Sequence, residues 1–127
     1  MTPPEPHVLV VDDDPVIVRL LELNFRLGGF RVSSATRGDQ VIARAVELAP
    51  DAIVLDVTLP GIDGFEVCRR LRQEPGLVHV PVVLLTAHPQ DELSGDVSDI
   101  AAYVTKPFDP EGLVATVRQA LVDEDVS

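Results

Sequence analysis

The 127-residue chain has no tryptophan, one tyrosine and four phenylalanines, so its core must rest on Val, Leu, Ile and Ala. It has one cysteine, Cys68, which excludes an intramolecular disulfide, and no Cys/His cluster has metal-ligand spacing. Positive charge is scarce: 10 Lys and Arg stand against 21 Asp and Glu, a formal net charge of −11. Such a field argues against gripping a phosphate backbone or an anionic membrane, so no direct nucleic-acid or membrane binding by this chain is expected. No apolar run approaches the roughly 18 residues of a membrane span. The polar, Pro-rich opening Met1–Pro6 does not read as a signal peptide. With 46% hydrophobic residues the chain can still bury a real core. A single soluble acidic domain, cytoplasmic, is the expectation.

Short apolar runs alternate with stretches of helical periodicity. The runs are His7–Val11, Phe30–Ala35, Ala52–Asp56, Pro81–Leu85 and Ala101–Thr105. The first, third and fourth are nearly continuous Val, Leu and Ile, as strands buried on both faces require. Between them, Ile17, Leu20, Leu21 and Asn24–Leu27 recur at helical spacing and close at Gly28-Gly29. Val41, Ile42, Ala45 and Leu48 form a second stripe ended by Pro50. Phe65, Cys68, Leu71 and Arg72 form a third, opened by Asp63-Gly64 and ended near Pro75-Gly76. Leu113, Val114, Val117 and Leu121 form a last one, starting after Pro110. Leu93, Val97, Ile100 and Ala101 have the spacing of one more helix, weakened by Ser94, Gly95 and Ser98. Five β–α units predict an α/β fold, a single doubly wound domain with a parallel five-stranded sheet. Residues 1–6 read as a flexible extension, 7–122 as the domain and 123–127 as a solvated acidic tail.

In open α/β sheets, sites form beyond the carboxyl ends of the strands, where strand order reverses. Asp12-Asp13-Asp14 follow the first run, Asp56 ends the third, Thr86-Ala87 end the fourth, and Lys106-Pro107-Phe108 follow the fifth. Acids before Pro15 suit a helix N-terminus, which accounts for one or two of the three. A further acid beside a carboxylate on a neighbouring strand raises pKa values or recruits a cation. Oxygen-only ligands point to a hard ion, and Mg²⁺ uses few carboxylates. The same acids, with no glycine among them, would repel the phosphate of a nucleotide or flavin.

Asp56 closes an apolar run, although the next turn has its own makers in Pro60-Gly61 and Asp63-Gly64. A turn-forming Asp is the plain alternative. A carboxylate can also attack phosphorus to give an aspartyl phosphate, with a metal on one side and a fixed cation on the other. Lys106 supplies such a cation and is the only lysine, the other nine basic residues being arginine. A compact ammonium differs physically from a planar guanidinium, although a chance surface lysine is the simpler alternative. Pro107 would hold the turn through a cis peptide. Thr86 is ordinary at a strand end, yet its hydroxyl would reach a phosphoryl oxygen. His7, His79 and His88 share no metal-ligand spacing, and Cys68 on an apolar helix face reads as core.

Four segments together resemble the receiver domain of two-component response regulators, of the chemotaxis-regulator type. They are Val8–Pro15, Ile53–Glu66, Val82–Ala87 and Thr105–Phe108, each at a strand end, and the resemblance spans about residues 7–122. It implies a flavodoxin-like strand order 2-1-3-4-5. It also implies that Asp56 takes a phosphoryl group from a phosphohistidine on a sensor histidine kinase or phosphotransfer protein. Asp12, Asp13, Asp56 and the main-chain carbonyl of Thr58 would serve Mg²⁺ (or Mn²⁺). Thr86 and Lys106 would bind the phosphoryl oxygens, and Tyr103 matches the aromatic that moves with the threonine. Pro60, Asp63, Pro107 and Phe108 would belong to the recognition surface. Phosphorylation would bias the surface around the expected helix between the fourth and fifth strands, the fifth strand and the last helix, toward a downstream effector that the sequence does not name.

The segment from Thr86 to Tyr103 is short for the family, Asp99-Ile100 replace a usual Gly-Ala pair, and Gly95 interrupts the expected helix. These departures fall on the face that family members use for dimerisation or output. The usual dimer is therefore not carried over, and a phosphorylation-dependent homodimer stays open. Thr58 and His88 occupy the positions that tune phosphoryl lifetime. Three other readings remain: a phosphorylation-independent receiver-like interaction domain, an aspartate-nucleophile phosphohydrolase, and a flavodoxin. The second lacks a second acid at Thr58 and residues for a cap; the third lacks a phosphate loop.

Overall fold

The computed structural model describes residues 5–87 and 100–126. Its elements run β1 (His7–Val11), α1 (Pro15–Leu27), β2 (Arg31–Ala35), α2 (Gly38–Leu48), β3 (Ala52–Asp56), α3 (Gly64–Leu71), a 3₁₀ turn (Pro75–Leu77), β4 (Val82–Thr86), β5 (Ala102–Thr105) and α4 (Pro110–Val126). The five strands are parallel, in the order β2-β1-β3-β4-β5. This is the flavodoxin-like arrangement that the resemblance implies. The expected strands agree to within a residue at each end, and Thr86 closes β4. The helix expected around Leu93–Ala101, together with His88 and Gly95, falls largely in 88–99, outside the described residues.

Side chains alternate between two faces that are both covered by helices, so β1, β3 and β4 are buried along their whole length. Leu9, Val11, Ile53, Leu55 and Leu84 meet Val41, Ala45, Val67 and Leu71 on the α2–α3 side. Val8, Val10, Val54, Val83 and Leu85 meet Leu21, Phe25, Leu113 and Val117 on the α1–α4 side. Cys68 is buried in the first layer, where desolvation pushes its thiol up to about 12 and keeps it an inert packing group.

Helix α1 turns inward part of the stripe its spacing suggests, Leu21 and Phe25 with Ile17 packed beside them, and adds Val18. Val18, Leu21 and Phe25 are buried, while Leu20 is 37% exposed. The helix is apolar on two sides: Val16, Leu23 and Leu27 are also exposed, so periodicity alone could not choose the core face. Helix α2 ends at Ala49, in the left-handed conformation with φ 48°, just ahead of Pro50. The stretch expected as a solvated tail is helical through Val126, and Asp123, which accepts from Gln119 Nε2 at 2.9 Å, is exposed. At the other end, Pro6 is already tied to the sheet, its carbonyl accepting from Arg31 N at 2.9 Å.

The few aromatics work locally. Phe25 and Phe30 pack edge to face at 5.1 Å, and the Arg118 guanidinium lies 5.3 Å over the Phe30 ring while donating to the Gly28 carbonyl. Arg72 Nη1 donates to the carbonyls of Leu77, Val78 and Val80, at 3.2, 3.2 and 3.0 Å, and so gathers the turn that leads into β4.

His7 opens β1 with its Nε2 2.8 Å from Ser33 Oγ, and is 7% exposed. Burial, aided by the charges of Arg31 and Arg44 and opposed by Asp51, holds its pKa below the ordinary value. The unfolded chain then binds the extra proton more readily, so His7 costs stability as pH falls through about 6.5. Urea midpoints should drop over that interval, with a shallower slope in His7→Gln. Leu21→Ala should cost about 2–5 kcal/mol in the same assay, whereas Leu23→Ala, at an exposed position, should cost within about 0.5 kcal/mol.

Candidate functional site

Strand order reverses between β1 and β3: the chain leaves β1 for β2 on one side and later returns to β3 on the other. Val11 pairs with Leu55 across these strands, so Asp12 and Asp56 emerge side by side one rung further on. Leu85 pairs with Asp56, and Thr86 with Thr105, which brings Thr86 and Lys106 to the same edge. The parallel register alone therefore gathers residues from four loops.

The three consecutive acids divide their work. Asp14 is the N-cap of α1, its carboxylate accepting from Val16 N at 2.9 Å, with Pro15 in the first turn. Asp12 is 1% exposed and accepts from Asp14 N at 2.9 Å. Asp13 is exposed. Carboxylate oxygens of Asp12, Asp13 and Asp56 all lie within 4.8 Å of one another. Capping thus accounts for the acid it can explain, and the other two face Asp56.

Lys106 reaches into this cluster. Its Nζ donates to Asp56 Oδ2 at 2.6 Å and to Asp12 Oδ2 at 3.3 Å. The other Asp56 oxygen, Oδ1, accepts from Thr58 N at 3.0 Å. Burial raises the pKa of Asp12 and the charge of Asp56 adds to it, while the Asp14 N–H and Lys106 work the other way. Burial alone would lower the pKa of Lys106, but its hydrogen bond to Asp56 and the charges of both carboxylates outweigh that and hold it above the ordinary lysine value. One ammonium faces three carboxylates, so the pocket still favours another cation. An all-oxygen donor set, part buried and part open to solvent, fits a hard divalent ion such as Mg²⁺.

The remaining sequence candidates lie on the strand ends and loops around β3, β4 and β5. Thr86 is 1% exposed at the end of β4. Thr58 is exposed on the loop after β3, with Pro60 half-buried beside it. Asp63 is the exposed N-cap of α3, accepting from Glu66 N at 2.9 Å. Pro107 is exposed and joined to Lys106 by a cis peptide, in the form the sequence anticipates. Phe108 packs against the α1–α4 layer and Tyr103, half-buried, against the α2–α3 layer. Of the histidines, His79 is exposed and His7 lies in β1, both away from the acids.

The response regulator receiver domain model matches residues 8–118. The chain belongs to that family. It is 44% identical over 91% of its length to the DNA-binding dual master transcriptional regulator RpaA of Synechocystis, covering 49% of that protein. To the response regulator PleD of Caulobacter vibrioides it is 44% identical over 88% of its length, covering 25% of PleD. The receiver chain thus spans half or less of these curated relatives. The receiver domain of the sensor histidine kinase PA1611 from Pseudomonas aeruginosa, solved with a magnesium ion in its active-site cleft, superposes with a TM-score of 0.85. It is 28% identical, and the match covers 93% of this chain and 98% of that one. This receiver is therefore a signalling domain of two-component systems, and no described helix in it is long and apolar enough to cross a membrane.

Lys106→Met would leave Asp12 and Asp56 buried without their ammonium. In metal-free buffer at neutral pH this should cost about 3–5 kcal/mol by urea denaturation, and lowering the pH, which protonates Asp12 with its burial-raised pKa, should shrink the deficit.

Proposed function

We propose that the domain accepts a phosphoryl group on Asp56 from a phosphohistidine of a sensor histidine kinase or phosphotransfer protein, in a Mg²⁺- or Mn²⁺-dependent reaction in the cytoplasm. The observation that carries this reading is the Asp12, Asp13 and Asp56 cluster within 4.8 Å, with Lys106 Nζ 2.6 Å from the acceptor carboxylate. An Asp56 oxygen attacks phosphorus, the P–N bond to the donor imidazole breaks, and the imidazole keeps the bonding pair and takes up a proton. The products are an aspartyl phosphate and a neutral histidine.

Asp12, Asp13, Asp56 and the main-chain carbonyl of Thr58 would hold the divalent ion, which when bound offsets the charge that gathers on the transferring oxygens. Lys106 offers a second, fixed positive charge opposite those oxygens. The Thr86 hydroxyl would donate to a phosphoryl oxygen. In the resting state Lys106 is already bound to Asp56, so a phosphoryl group there must draw Lys106 into a new contact. Tyr103, next but two to Lys106, would shift with Thr86, and the change would spread to the β5–α4 surface and an effector. Pro60, Asp63, Pro107 and Phe108 would form part of the donor-recognition surface. The autonomous unit for these events would be residues 7–122.

Intact-mass analysis after incubation with a small acyl-phosphate donor tests the reading. One phosphoryl adduct is expected with Mg²⁺, and none with chelator or in Asp56→Asn. Lys106→Ala should retain Mg²⁺ binding but lose the coupled change at Thr86. Stoichiometric labelling of Asp56→Asn at a single site, or no Mg²⁺ binding and no adduct from any phosphohistidine donor, would overturn it. The second outcome would favour a phosphorylation-independent interaction domain.

A further inference from the structure

Helix α2 contributes no carboxylate, hydroxyl or ammonium to the acid cluster, yet its first turn lies directly against the loop that follows Asp56. Gly38, its first residue, is buried, and its N–H donates to the Pro60 carbonyl at 3.0 Å. A Cβ built on Gly38 would stand 1.9 Å from the Ile62 carbonyl oxygen and 2.9 Å from the carbonyl carbon, both main-chain atoms. Any other residue would have to push the two backbones apart. Arg37, the N-cap, makes no side-chain capping bond, and the Gly38 N–H, one of the first-turn donors with no partner inside the helix, is given to the loop.

The next residue tightens the same contact. Arg37 Nε and Nη2 hold the Asp39 carboxylate at 3.0 and 3.1 Å. That carboxylate covers Gly61, whose φ is +89° and whose Cβ, if present, would lie 2.9 Å from Asp39 Cγ. At the loop's far end Gly64 N donates to Val57 O at 2.8 Å, and a Cβ on Gly64 would stand 2.7 Å from the Asp56 carbonyl oxygen. Between these two anchors lies Thr58, whose N–H binds Asp56 Oδ1.

We propose that Gly38 and Asp39 are positioning residues for the chemistry at Asp56: the first turn of α2 sets the Pro60–Ile62 segment and thereby the Thr58 main chain against the acceptor carboxylate. The effect on metal and phosphoryl transfer rests on the function proposed above; the effect on Thr58 does not. Groups that orient ligands from outside the ligand shell typically change metal affinity by about 10–100-fold when lost.

The test compares Gly38→Ala, Asp39→Asn and Gly76→Ala in the full chain, the last being a position where a Cβ meets nothing within 4 Å. Amide NMR follows the Thr58 N–H without metal, and calorimetry follows Mg²⁺ binding. Gly38→Ala should retain native circular dichroism, shift the Thr58 amide, speed its hydrogen exchange, weaken Mg²⁺ binding about tenfold and slow acyl-phosphate labelling in step. Asp39→Asn should act in the same direction by a smaller factor, and Gly76→Ala should change nothing. A folded Gly38→Ala with unchanged Thr58 exchange and Mg²⁺ affinity overturns the proposal. Should Gly38→Ala not fold, unchanged Thr58 exchange in Asp39→Asn overturns it instead. A wild-type chain that neither binds Mg²⁺ nor labels refutes the phospho-acceptor reading, and Thr58 exchange then still decides the positioning role.

Discussion

Two carboxylates from adjacent strands, Asp12 and Asp56, are buried within reach of one ammonium, and the arrangement of the site follows from that constraint. Like charges so close cannot both stay ionised in a low-dielectric setting without compensation. Lys106 compensates in part, Thr58 N and Asp14 N stabilise one oxygen each, and the opening beside Asp13 admits solvent or a cation. The two acids and the ammonium lie far apart in sequence, Lys106 being 94 residues from Asp12 and 50 from Asp56. The parallel register of β1, β3, β4 and β5 assembles them, which is why the chemistry needs the fold and not any single loop.

The sheet is not equally firm across its width. β1, β3 and β4 are buried throughout, whereas β5 is only half-buried and its last residue, Thr105, is exposed. The acids thus stand on the best-packed strands, while Lys106 and Tyr103 belong to the more loosely covered edge. Low burial marks the parts of a structure that open at least cost. A change of charge at Asp56 would find the acids fixed and the β5 edge able to respond, so the asymmetry of packing gives the proposed signal a direction.

Strands, acids and the lone lysine were legible in the sequence because each follows from a short-range rule: continuous apolar runs, carboxylates at strand ends, an unusual residue in an arginine-using chain. Other features depend on which surfaces meet. Whether Asp12 or Asp14 would cap α1 could not be read from three identical residues; the structure gives the cap to Asp14 and buries Asp12. The inward face of α1 was ambiguous because the helix is apolar on two sides. Gly38 and Gly64 carried only a faint signal, glycine in a helical first turn, and their meaning lies in main chain approaching from 24 and 8 residues away, at Ile62 and Asp56 respectively. The helix expected between β4 and β5 falls outside the described residues for most of its length.

The choice of lysine at position 106 has a geometric reason. Nζ meets Oδ2 of Asp56 at 2.6 Å and Oδ2 of Asp12 at 3.3 Å, so one point charge serves two carboxylates carried by different strands. A guanidinium is flat and forked, and its strongest pairing is two parallel bonds to one carboxylate. Arg37 behaves that way with Asp39, using Nε and Nη2 together. An arginine at 106 would bind one acid firmly, leave the other less well compensated, and fill space beside Asp56 that an incoming group needs. The flexible ammonium can change partners without a planar surface to re-dock. Charge alone would have allowed either residue; two acceptors on separate strands, and a group expected to arrive between them, favour the smaller cation.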